Sequence, residues 1–128
     1  MYEGTPPQYR LDSLRPTHPQ VLHVVRTGDR YRLQLHVSDA LCYLEGHFPH
    51  MPIVAGVCQL KWVIDYIEAY SGQPLRIRAM EGIKFQRPLL PPQTFTIEFA
   101  YEAQEAAWQY RLFTEEQQFA AGRLLVQR

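Results

Sequence analysis

Gly56-Val57-Cys58-Gln59-Leu60-Lys61-Trp62-Val63-Ile64-Asp65-Tyr66-Ile67-Glu68-Ala69-Tyr70 carries the repeat of a helix. Val57, Leu60, Ile64 and Ile67 recur at three- and four-residue steps, and Trp62, Val63, Tyr66 and Tyr70 extend the apolar coverage round most of the circumference. A helix coated in this way is normally buried by other elements on several sides. Ser71-Gly72 ends it, and Pro74 fits just beyond such a stop.

Outward from this helix the period changes from helical to alternating. Upstream, Val21 to Arg26 and Tyr31 to Val37 are rich in branched and aromatic residues and flank Thr27-Gly28-Asp29-Arg30, which has turn chemistry, so a hairpin is predicted. In its second arm Tyr31, Leu33, Leu35 and Val37 alternate with Arg32, Gln34 and His36, which gives one buried and one wet face. Residues 38 to 55 hold Gly46, Pro49 and Pro52, too many breakers for a regular element, and read as a structured loop. Downstream, Leu75 to Phe85, Thr94 to Tyr101, Trp108 to Thr114 and Phe119 to Val126 all read as strands. The order predicts an α+β domain, an antiparallel sheet wrapped round one long central helix, and excludes a helical bundle or a parallel α/β sheet.

The chain has 128 residues, enough for one core of ordinary size and too few for two. Residues 1 to 19 are expected to form an N-terminal arm and residues 20 to 128 a single domain. Hydrophobic residues at 46% and charged residues at 20% argue against disorder. Thirteen basic residues balance thirteen acidic ones and are scattered along the chain, so a nucleic-acid partner is not expected. Cys42 and Cys58 are expected to be free thiols, since a core this apolar needs no staple. The first nineteen residues contain Pro6, Pro7, Pro16 and Pro19 and no sustained apolar run. They suit neither a signal peptide nor a membrane span, and a cytoplasmic protein is expected.

Ahead of the helix, Leu44-Glu45-Gly46-His47-Phe48-Pro49-His50-Met51-Pro52-Ile53-Val54-Ala55-Gly56-Val57 places a histidine in a stiff loop. Imidazole can take or return a proton near neutral pH. Gly56 lets another chain come close, and the first amides of the helix present unsatisfied donors there. A thioester carbonyl suits that spot, because those donors can stabilise the enolate left when its α-proton departs. A metal is not expected, because His47 and His50 lack a third ligand at a persuasive spacing. His18, His23 and His36, with His50, read as surface or packing residues, and Cys58 as a small filler.

The run Gly46-His47-Phe48-Pro49 with Pro52, Gly56 and Val57 resembles the hot-dog-fold 3-hydroxyacyl-(acyl carrier protein) dehydratases of the FabZ and FabA type. Gly82-Ile83-Lys84-Phe85-Gln86-Arg87-Pro88-Leu89-Leu90-Pro91 is similar to that family's second signature, and Gln59-Leu60 with Trp62 resembles its ApeI-like branch from aryl-polyene clusters. The resemblance implies a dimer with two acyl tunnels along its interface, an acyl carrier protein or CoA thioester as partner, and no cofactor. His47 would then be the base at the α-carbon. Gly46 and Phe48 would sit at the mouth of the site, and Gly56 and Val57 would contact substrate. Such enzymes also use an Asp or Glu on the central helix of the other subunit to serve the β-hydroxyl.

That acidic position is Lys61 here, fourteen residues after His47. An ammonium can donate a proton but cannot accept one, and losing a general acid or base costs about 10² to 10⁴ in rate. Asp65 lies one turn further along the same face and can pair with Lys61. Ala55 stands where the family has Pro, and Pro92-Gln93 replaces its Gly-Asp. Three functions therefore stay open. The first is a 3-hydroxyacyl dehydratase or a degenerate relative, the second a thioesterase using Asp65, Glu68 or Glu45. The third is a silent acyl-binding subunit of a mixed hot-dog dimer or higher oligomer.

Overall fold

A computed structural model of the chain describes residues 2–3, 18–38, 54 and 56–127. After the two-residue strand β1 (Tyr2–Glu3), a hairpin is formed by β2 (Gln20–Thr27) and β3 (Arg30–Val37). The helix α1 (Gly56–Ser71) follows, and then β4 (Ile77–Phe85), β5 (Gln93–Glu102), β6 (Ala107–Phe113) and β7 (Gln118–Val126). All seven strands belong to one sheet in the order β1-β2-β3-β5-β6-β7-β4, and every pairing is antiparallel.

The alternation in β3 holds as expected: Tyr31, Leu33, Leu35 and Val37 are buried, while Arg30, Arg32 and Gln34 are exposed. Gly28 takes a φ of 61° in the hairpin turn, a conformation that glycine adopts without a Cβ penalty. Inside the sheet, Phe99 stacks on Tyr31 with centroids 5.0 Å apart and meets Trp108 edge to face at 5.9 Å. Burying each such ring stabilises the fold by about 1.5–3 kcal/mol.

The helix differs from expectation. Its buried residues form one stripe, Gln59, Trp62, Val63, Tyr66 and Ile67, at helical spacing. Val57 is 74% exposed, and Leu60 and Ile64 are only partly covered. The sheet wraps one side of the helix, and the large rings of Trp62 and Tyr66 occupy that side. Part of the apolar coat is therefore left outward in the single chain. At its far end the helix stops as predicted: Gly72, with a φ of 75°, donates its N–H to the Glu68 carbonyl at 3.0 Å. Among the described residues no helix is long and apolar enough to cross a membrane.

Candidate functional site

The start of α1 is held from three directions. Val54 donates its N–H to the Leu89 carbonyl at 2.9 Å, so the chain just before the helix is pinned to the segment between β4 and β5. Gln59, only 4% exposed, reaches back and donates Nε2 to the Val54 carbonyl at 3.1 Å. That bond fixes which end of the amide is nitrogen. Gln59 Oε1 then lies buried with no hydrogen-bond partner among the described residues. Gly56 is the third contact: a Cβ there would lie 2.8 Å from the Phe85 ring, so only glycine lets β4 come this close to the first turn.

No acidic side chain occupies that first turn. Its backbone donors and the positive end of the helix dipole therefore have no carboxylate of their own turn to neutralise them. An oxygen that gains negative charge is the ligand such an end accommodates best.

Further along α1, Lys61 projects outward with its side chain 54% exposed, and its Nζ donates to Asp65 Oδ2 at 3.1 Å. The pair anticipated one turn apart is formed. The same Oδ2 atom lies 2.8 Å from His18 Nε2. His18 is 8% exposed at its side chain and sits edge-on to Tyr66, whose hydroxyl donates to the Pro19 carbonyl at 3.1 Å. His18 is thus a docked residue with a charged partner. Local spacing could not reveal this, because 47 positions separate it from Asp65. Glu68 is engaged elsewhere, accepting the Leu75 N–H at 2.8 Å beyond the helix end.

Of the residues singled out in the sequence, Gly56, Val57 and Lys61 lie on α1 as expected. Gly46, His47 and Phe48, with Cys42, Glu45, His50 and Ala55, fall outside the described residues. Cys58 is half-buried and packed against the core. An open groove of about 490 Å³ runs elsewhere, lined by Arg30, Lys84, Glu98, Arg111 and Arg123. Its arginines and glutamates pair with one another or with neighbours. Glu98 pairs with Arg30, Arg32 and Arg111 at 2.6–3.1 Å, and Arg123 with Glu81, Glu102 and Glu105 at 2.6–3.2 Å.

A family model described as ApeI-like, ApeI dehydratase, matches residues 23–123. The chain belongs to the ApeI-like dehydratase family. Among solved structures, this ApeI-like chain is similar to the dehydratase heterocomplex ApeI:P from Xenorhabdus doucetiae. The match has 25% identity and a TM-score of 0.79, over 86% of this chain and 98% of that one. An uncharacterised protein from Erwinia carotovora subsp. atroseptica matches with 26% identity and a TM-score of 0.65, over 85% and 95%. The dehydratase domain from the CurF module of curacin polyketide synthase, at 13% identity and a TM-score of 0.60 over 88% and 46%, shares the hot-dog fold. No curated protein matches the ApeI-like chain.

Proposed function

We propose that the chain binds 3-hydroxyacyl thioesters at the start of α1 and dehydrates them slowly, with Lys61 in the place of the helix acid. The observation that carries this reading is the braced amide end at Gly56, whose own first turn holds no carboxylate, in a chain of the ApeI-like family. The thioester oxygen would accept from the Gly56 N–H. His47 would take the α-proton, and Gly46, Phe48 and Val57 would flank the chain's approach. The electrons of the broken C–H bond first rest on the thioester oxygen as an enolate; as they return to form the C2–C3 double bond, the C3–O bond breaks. The departing hydroxide takes a proton from the Lys61 ammonium and leaves as water. The proton on His47 then passes through solvent to the Lys61 amine. Water is eliminated with no external oxidant or reductant needed, so no cofactor is required.

The acyl group would arrive on an acyl carrier protein or CoA. The chain would work as a dimer, which would cover the outward apolar residues of α1, Val57, Leu60 and Ile64. The reading also places the protein in the cytoplasm. Its test is incubation with a 3-hydroxyacyl carrier protein and detection of the enoyl product. Wild type should form product, and His47→Ala should lose it by about 10² to 10⁴. Folded, oligomeric wild type that forms none contradicts the reading.

A second reading has one specific support. The solved relative from Xenorhabdus doucetiae is a heterocomplex. A mixed assembly with another hot-dog protein would let that partner supply the missing carboxylate opposite His47. Product formed only after adding a carboxylate-bearing partner would select it. Thioester hydrolysis is less well supported, since Glu68 is tied to Leu75 and Asp65 to His18 and Lys61.

A further inference from the structure

An apolar strip leads away from Gly56 along β4. Phe85, whose ring abuts Gly56, pairs in register with buried Ala120, and Met80 pairs with buried Leu124. Both therefore stand on the core side of the sheet, yet they are 52% and 47% exposed. Between them β4 bulges. Glu81 opposes Arg123 and Lys84 opposes Ala121, so Gly82, with a φ of 57°, and Ile83 together face Gly122. A bulge of this kind re-aims a side chain. Here it brings Ile83 Cδ1 within 2.6 Å of where a Gly122 Cβ would be.

Tyr110 meets the same point. It pairs in register with Gly122, and its hydroxyl lies 2.8 Å from that Cβ position, so the phenol ring lies across the glycine. The residue is 4% exposed, and its oxygen has no hydrogen-bond partner among the described residues. Burial pushes the phenol up to about 12, so it stays protonated and able to donate. Buried polar atoms left unpaired are few in native proteins because each costs free energy. Phenylalanine would fill this volume without that cost, so packing gives no reason for the oxygen.

We propose that an acyl chain lies along the Phe85–Ile83–Met80 strip and that the Tyr110 hydroxyl selects chains carrying a hydrogen-bonding group at their far end. Strand rise puts Ile83 about 7 Å beyond Phe85, roughly six chain atoms from the thioester carbon. Ile83 is half-buried, and its Cδ1 crowds the same point above Gly122 as the phenol oxygen, so a turn of that side chain is the movement that would bring the oxygen to the strip. A hydroxyl, carbonyl or phenol at that distance satisfies the oxygen, whereas a plain alkyl chain leaves it unpaired. This proposal rests on the acyl-thioester reading.

The test uses the full chain and two non-hydrolysable thioether analogues, of hexanoyl-pantetheine and of ω-hydroxyhexanoyl-pantetheine, with binding followed by calorimetry. Wild type is expected to prefer the ω-hydroxy analogue by about 3- to 10-fold. Tyr110→Phe is expected to bind both equally and to melt no lower than wild type. Equal binding by wild type, a preference that survives in Tyr110→Phe, or a clear fall in the variant's Tm overturns the role of Tyr110 while leaving the acyl site standing. If wild type binds neither analogue, the acyl-thioester reading falls and this proposal falls with it.

Discussion

His18 Nε2 and Asp65 Oδ2 meet at 2.8 Å, so the segment ahead of β2 meets a largely covered part of α1 through the same oxygen that receives Lys61. The contact gives Asp65 two jobs. It meets His18 beside the helix, and it pairs with the Lys61 ammonium, which stands at the position where the family carries its acid.

Asp65→Ala is expected to lower stability by about 1–3 kcal/mol, because it removes the carboxylate that both Lys61 and a nearly buried imidazole meet. A urea-denaturation double-mutant cycle with His18→Ala checks it. The two changes should fall short of additivity by at least 0.5 kcal/mol, on the order of couplings measured for residues in contact. Simple additivity would show that the 2.8 Å contact contributes nothing.

Lys61→Glu is expected to raise the rate of enoyl formation by about 10² or more, since a carboxyl group can both donate and accept at the β-hydroxyl. The same change removes the pair with Asp65 and sets two carboxylates one turn apart, at a cost of about 0.2–0.5 kcal/mol. Initial rates with a 3-hydroxyacyl carrier protein decide the matter. A variant slower than wild type would mean that the ammonium is the better catalyst here.

Glu98 supplies a pH signature. Burial alone would raise its pKa, but hydrogen bonds and charge from Arg32 and Arg111 outweigh burial and hold the carboxyl below its ordinary 4.5. A carboxyl lowered in the fold stabilises it at pH values above 4.5, and that contribution is lost as pH falls through the lower folded value. Glu98→Gln should therefore be less stable than wild type at pH 7 by about 1–2 kcal/mol. The gap should close in acid. Thermal melts across pH 7 to 3 follow it, and a gap that does not change with pH would contradict the assignment.

Gly56→Ala drives a methyl group into the Phe85 ring and should cost about 1–3 kcal/mol by overpacking. Placing Phe85→Leu in the same chain removes the ring atoms that the methyl meets, so the penalty should shrink. If denaturation gives the same penalty in both backgrounds, the close approach of β4 is not what requires glycine.

Much of this architecture could be read from period alone. The alternation of Tyr31, Leu33, Leu35 and Val37 placed β3 and its wet face, and Ser71-Gly72 located the helix end. Local pattern could not say which side of α1 the sheet would cover. Val57, Leu60 and Ile64 keep perfect helical spacing, yet Trp62 and Tyr66 take the covered side. Gln59 is polar on a helix, and nothing in its spacing signals a buried brace to Val54. His18 with Asp65, and Tyr110 with Gly122, come together only through tertiary contacts, which leave no mark at short range. At the site itself, Gly56 and Lys61 were placed correctly on the helix by motif and period. His47, the proposed base, was legible as chemistry in the Gly-His-Phe run, but it lies outside the described residues.

The central claim is that an imidazole and the Gly56 end of α1 together activate the α-carbon of an acyl thioester. Deuterium uptake at that carbon from heavy water isolates this step from the later loss of hydroxide, whatever Lys61 does. With a 3-hydroxyacyl carrier protein as substrate, wild type and Lys61→Glu should both incorporate the label, and His47→Ala should be slower by about 10² to 10⁴. Folded wild-type protein that incorporates none, or a His47→Ala chain that incorporates it at the wild-type rate, would contradict the account.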